Sequence, residues 1–181
     1  YVKNLEKDGI GNLYLEFEKL KKKLENEGLF SPYSKKKLPK YPFKIGVATA
    51  SSGAALRDIV STIKRRWPLA NIIVFPCLVQ GEGASESIIN ALENSKKCDI
   101  DVMIVGRGGG SIEDLWCFNN EKLAYYIYEY PIPIVSAVGH EVDFTICDFV
   151  SDVRAATPTG AAELVTPDIN EIIGSLEVYK D

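Results

Sequence analysis

The chain of 181 residues predicts an α/β fold, a largely parallel sheet with helices on both faces, preceded by an N-terminal helical arm. Three observations carry this. After Pro42 the sequence alternates short continuous apolar runs with segments whose apolar residues recur every three or four positions. The runs are apolar throughout rather than every second residue, as in parallel strands covered on both sides. Each run ends in a turn rich in glycine and polar residues, the punctuation of βα units with right-handed crossovers.

The arm comes first. In "NLYLEFEKLKKKLENEGLF", Leu13, Phe17, Leu20 and Leu24 fall at spacings of three and four with lysines opposite, an amphipathic helix. "SPYSKKKLPKYP" breaks the pattern with three prolines and a Lys cluster, a linker with a solvated basic face. The first forty residues are therefore expected to bury little and to be dispensable for folding of the core.

"KIGVATA" is the first strand, and "SSGAALRDIVSTIKRRW" follows with Leu56, Ile59, Val60, Ile63 and Trp67 on one helical stripe. "NIIVFPC" and "ASESIINALENSKK" repeat the unit. "DVMIVGRGGGS" gives the third strand and its turn, with helices expected through "IEDLWCF" and "EKLAYYIYEY". "IPIVSAVGHE" is the fourth strand, leading into "VDFTICDFV". In "RAATPTGAAELVTP", Thr157 before Pro158 marks a capped helix start of small residues. The whole reads as a Rossmann-like domain.

Composition excludes several classes. With 46% hydrophobic residues the chain can bury a full core. Its 21 Lys and Arg against 25 Asp and Glu give a net charge of -4, so any polyanion site must be local. Cys77, Cys98, Cys117 and Cys147 show no paired metal-ligand spacing and read as reduced cytoplasmic thiols. No apolar run approaches a membrane span, and no signal peptide is expected. The chain lacks an initial Met and ends within a helical pattern, as expected of a piece of a longer protein.

The unusual residues lie in corresponding places: "SSG", "QGEGA", "GRGGGS" and "GHEVD" each follow a strand. In an open parallel sheet, ligands bind beyond the carboxyl ends of the strands, so these turns are expected to meet at one site. In "VGRGGGSIEDL", Gly108, Gly109 and Gly110 let backbone N–H groups approach an anion, Ser111 caps a helix expected to begin there, and Arg107 adds a planar fork of donors. The pattern is not GxGxxG and no acidic residue ends the next strand, so a nicotinamide cofactor is not expected.

His140 is the only histidine. If a helix starts near Gly139, His140 and Asp143 share one face of its first turn, where the carboxylate can fix the tautomer of a general acid or base. Asp58, one turn into the first helix of the domain, is open between a site role and a solvated aspartate paired with Arg57 or Ser61. Glu113, Asp114, Glu141 and Asp148 are candidate metal ligands, the first two more simply explained as helix N-terminal acids.

Taken in order, "KIGVATASSGAALRDI", "VGRGGGSIEDLW" and "IPIVSAVGHEVDFTICDFVSD" with the "TP" and "AAELV" of residues 157–165 closely resemble the catalytic domain of the large subunit of bacterial exodeoxyribonuclease VII, over about Pro42 to Pro167. The resemblance implies an arm and linker at 1–41 connecting from an OB-fold, a nuclease domain at 42–167, and the start of a coiled coil at 168–181. It places the family's catalytic positions on Asp58, Arg107, His140 and Asp143. It further implies exonuclease action on single-stranded DNA from both ends, giving oligonucleotides, in the cytoplasm and in DNA repair and catabolism. The implied partner is a small subunit bound through the coiled coil. No cofactor is implied: a divalent metal such as Mg is possible but not indicated. "RAATPTGAAE" replaces the family's more usual "RAPTPSAAAE", a departure that touches none of these positions.

Under this reading His140 activates water or protonates the leaving oxygen, Asp143 orients it, and Asp58 is a second acid/base or a charge partner of Arg107. Arg107 and the Gly108–Gly110 amides, with Ser111, hold the phosphate. Two other readings use the same residues: a non-hydrolytic nucleotide or sugar-phosphate binding module, and a metal-dependent nuclease built on Asp58, His140, Glu141 and Asp143.

Overall fold

The computed structural model describes residues 2–111, 113–139 and 142–178, with side chains from residue 11 onward. Five strands form one sheet: β1 (Lys44–Thr49), β2 (Asn71–Pro76), β3 (Val102–Gly106), β4 (Ile134–Ala137) and β5 (Val153–Arg154). Their order is β2-β1-β3-β4-β5 and every pairing is parallel. The helices are α1 (Val2–Asn26), α2 (Ala54–Arg66), α3 (Ala84–Ser95), α4 (Glu121–Tyr128), α5 (Ile146–Val150), α6 (Pro158–Val165) and α7 (Ile169–Val178). The expected α/β class, parallel sheet and helical arm are all present.

Period-two alternation sorts the strand side chains between two cores. Ile45 and Val47 of β1, Val102 and Ile104 of β3, and Val135 of β4 face α2 and α6 residues Ile59, Ile63, Ala161 and Val165. Ala48, Met103, Val105 and Ile134 face the other way, toward Ile88 and Leu92 of α3, Leu123 and Ile127 of α4, and Ile146 of α5. Gly46 is glycine because Met103 lies across it: a Cβ there would sit 2.8 Å from Met103 Cε.

The arm is part of this second core. Leu24 is fully buried and Leu29 nearly so in the same cluster as the sheet residues, with Phe17, Leu20 and Phe30 packed against it. Lys35, in the basic run expected to be solvated, donates from Nζ to the carbonyls of Phe149 (2.6 Å), Val150 (2.9 Å) and Ser151 (2.8 Å) at the end of α5. A cation there meets carbonyls that the helix leaves unpaired. The next residue's backbone N–H donates to Asp152 at 2.7 Å. The expectation that the first forty residues bury little is thus corrected.

Three further differences are local. Where a helix is expected through 112–118, residues 113–115 form a turn and Trp116–Phe118 one short 3-10 segment. The fourth strand is only four residues long. β5 was not anticipated, because two residues carry no periodicity. As expected, Thr157 caps α6, its hydroxyl accepting the Gly160 N–H at 2.9 Å, with Pro158 first in the helix. Among the described residues no helix is long and apolar enough to cross a membrane.

Candidate functional site

β1, β2 and β3 end at the same edge of the sheet, and the turns beyond them enclose a cavity of about 170 Å³. Its walls come from Ser52 and Gly53 before α2, Val79 and Gln80 after β2, and Arg107, Gly108 and Gly109 after β3. Three of the four turns expected to converge do so. α2 opens on Gly53 (φ +142°) with no side-chain cap, so its first N–H groups border this space.

Arg107 is 3% exposed. Its guanidinium is folded back on its own turn: Nε donates to the Gly108 carbonyl at 2.9 Å and Nη2 to the Gly109 carbonyl at 3.1 Å. Asp114 stands 3.8 Å from Nη2. Nη1 is buried and has no hydrogen-bond partner. A buried N–H without an acceptor costs about 1–3 kcal/mol, more on a charged group, and marks a place where an acceptor belongs. The fork is therefore less open than the sequence suggests, with one nitrogen in reserve.

Ser111 does not cap a helix. Its N–H donates to Asp114 Oδ2 (3.0 Å) and its hydroxyl accepts the Asp114 N–H (3.4 Å), closing one turn that does not propagate. Ser111 and Gly110 are exposed beside Arg107.

The fourth turn lies next door, since the Arg107 N–H donates to the Ala137 carbonyl at 3.1 Å. His140 and Glu141 lie outside the described residues. The pairing expected of His140 with Asp143 therefore falls outside the described residues; among those described, α5 begins at Ile146, capped by Thr145, and 142–145 precede it without helical structure. Thr145 and Asp148 make a reciprocal capping box. Asp148 also accepts Ser136 Oγ (2.6 Å) and approaches Arg154 Nε (3.9 Å). Its carboxylate is thus committed within the fold rather than presented as a metal ligand.

Asp143 is half-buried and lines a second, larger cavity of about 340 Å³ together with Glu113. Asp58 is exposed on α2 and borders neither cavity. Its carbonyl, not its carboxylate, accepts Ser61 Oγ at 3.2 Å. Among the described residues no three His, Cys, Asp or Glu side chains group as metal ligands do. Sequence reasoning missed Ser52 and Gln80 individually, although their turns were marked, and it missed the aromatic lining of the larger cavity altogether.

Burial raises three of the thiols: Cys77 is pushed up to about 12, Cys147 to about 12 and Cys117 to about 11. These neutral groups are packing residues rather than nucleophiles.

Comparison with known proteins gives the family. A family model described as "Exonuclease VII, large subunit" matches residues 29–181. The exodeoxyribonuclease 7 large subunit of Geobacillus kaustophilus is 58% identical over 181 residues, covering 99% of this chain and 40% of that protein. That of Bacillus thuringiensis strain Al Hakam is 58% identical over 173 residues, covering 95% of this chain and 38% of that protein. The chain thus spans about two fifths of the length of these relatives, and with the family match running through the sheet, the Arg107 turn and the Asp143 loop, it belongs to the exonuclease VII large subunit family.

Proposed function

We propose that this chain carries the phosphodiester-hydrolysing domain of a single-stranded DNA exonuclease that works from both ends and releases oligonucleotides. Arg107 carries the reading, because it lines a cavity bordered by glycine backbone and a helix N-terminus while its buried Nη1 has no acceptor within the protein, a demand that a phosphate oxygen can meet. In the reaction a water oxygen adds to phosphorus, the bond to the leaving sugar oxygen breaks, and that oxygen takes up a proton.

His140 is assigned the proton transfer, as base toward water or acid toward the leaving oxygen, and Asp143 a charge on the same loop. Arg107, with the Gly108–Gly110 amides and Ser111, stabilises the charge that grows on the phosphate. Asp58, one turn into α2, is assigned a second charged role on the strand's path. No cofactor is assigned. The names of the relatives, large subunits, support a small-subunit partner. Free thiols support a cytoplasmic setting, and DNA repair and catabolism is the corresponding role.

The test is cleavage of end-labelled single-stranded DNA by the full-length subunit with its partner, with and without EDTA, for wild type and Arg107→Ala. Short labelled oligonucleotides in both buffers and a loss on the order of 100-fold or more in the variant are expected. Wild-type turnover by Arg107→Ala would overturn the assignment.

A further inference from the structure

The larger cavity lies apart from the turn that holds the phosphate, yet it is built by the two loops to which the chemistry is assigned. Glu113 and Trp116 follow the Arg107 turn, Asp143 and Phe144 follow the His140 turn, and Tyr14 and Phe17 of α1 close the space. Its walls are largely apolar, with five aromatic rings among them. Tyr14 is 61% exposed and Phe144 45% exposed, large apolar surfaces left open to water at the mouth. Phe144 stacks on Phe149 with centroids 5.5 Å apart, and Lys21 Nζ lies 4.8 Å over the Phe149 ring. At the wall, Asn119 spends Oδ1 on the Ile146 N–H at 2.9 Å, which fixes the orientation of its amide and leaves the NH2 as a donor.

We infer that this cavity binds a nucleobase of the DNA strand whose phosphate lies at Arg107. A flat π-system is the ligand such walls take without regard to sequence, since every base has a face to stack. The Asn119 amide offers a hydrogen bond to a base carbonyl or ring nitrogen, and Lys21 sets a cation where the adjoining backbone leaves. A volume of about 340 Å³ admits a base with part of its sugar. α1 is then a wall of the binding site as well as of the core. The inference rests on the proposed action on single-stranded DNA.

The test reads binding, not cleavage. The chain has two tryptophans: Trp67 is buried with its indole N–H on the Pro42 carbonyl, whereas Trp116 lines the cavity. In the full-length assembly, a hydrolysis-resistant phosphorothioate oligothymidylate is expected to quench tryptophan emission saturably, by an amount that Trp116→Phe removes. The abasic strand of equal length and backbone is expected to bind roughly 10-fold more weakly and without quenching. Tyr14→Ala, at an exposed position, is expected to weaken the thymidylate by a similar factor and to leave the abasic strand unchanged.

Equal affinity for the two strands, or indifference to Tyr14→Ala, overturns the inference. So does an emission that ignores DNA but changes when the small subunit is removed, which would show a protein segment in the cavity. Failure of the hydrolytic reading is seen separately, as cleavage that survives Arg107→Ala while base discrimination is intact.

Discussion

Arg107 and Gly110 compete for one space: a Cβ on Gly110 would lie 1.8 Å from Arg107 Nη2 and 2.8 Å from its Cζ. At Gly108, by contrast, a Cβ would meet nothing within 4 Å. The glycines of this turn are therefore not equivalent. Gly110 is required because the guanidinium is folded over it.

Gly110→Ala is accordingly expected to expel the Arg107 side chain and to reproduce the activity loss of Arg107→Ala. Its melting temperature should stay close to wild type, since the clash is with the end of a flexible side chain. Gly108→Ala should be far milder. Turnover on single-stranded DNA for both variants checks this, and equal damage from the two would refute the asymmetry.

The arm gives a second expectation. Leu24→Ala should cost about 2–5 kcal/mol, the range for emptying a fully buried leucine site. Lys35→Met should cost about 2 kcal/mol, because three carbonyls at the end of α5 lose a charged donor. Removing residues 1–40 should abolish the cooperative transition. Denaturant unfolding measures all three, and a truncated chain that melts cooperatively at the wild-type temperature would show the arm to be an appendage.

Much of the fold was legible because the first four strands are continuous apolar runs and the longer helices repeat their stripe. What escaped was long-range or short. Lys35 looks like any lysine in a basic linker until the chain brings Phe149 against it, more than a hundred residues on. "IEDLW" has helical composition, but Ser111 and Asp114 pair with each other and close a single turn. The chemical type of Arg107 was legible, its folded-back pose was not. The start of α5 had a readable signal: "TICD" is a capping box, which begins that helix at Ile146.

Thiol chemistry offers a third check. Burial holds Cys77, Cys117 and Cys147 as neutral thiols, pushed up to about 12, 11 and 12, and only the thiolate attacks a disulfide reagent. All three values lie well above 9, so the thiolate stays a small fraction of each even at that pH, and native labelling of these three should be far slower than in denaturant. Cys98, half-buried at the end of α3, should react first, and all four should react in denaturant. Rapid native labelling of more than one thiol would contradict the packing.

The last expectation concerns the support under the Asp143 loop. A Cβ on Gly139 would fall 1.9 Å from the Asp143 carbonyl oxygen and 2.8 Å from Asp148 Oδ2, so this loop is pressed directly on the Asp148 carboxylate. Asp148 Oδ2 accepts both the N–H and the hydroxyl of Thr145, each at 2.8 Å, while Oδ1 accepts only the Ser136 hydroxyl. A hydroxyl can reverse its role and a backbone N–H cannot. Asp148→Asn can therefore keep its oxygen toward Thr145 and turn its amide toward Ser136, losing chiefly the charge that faces Arg154. Asp148→Ala leaves the Thr145 N–H, the Ser136 hydroxyl and the Arg154 cation without this carboxylate, at a cost of about 3–5 kcal/mol. The Asn variant should melt within about 1–2 kcal/mol of wild type and retain turnover, whereas the Ala variant should lose both. If Asn proves as damaging as Ala, the charge toward Arg154, not the hydrogen-bond geometry, is what holds the loop in place.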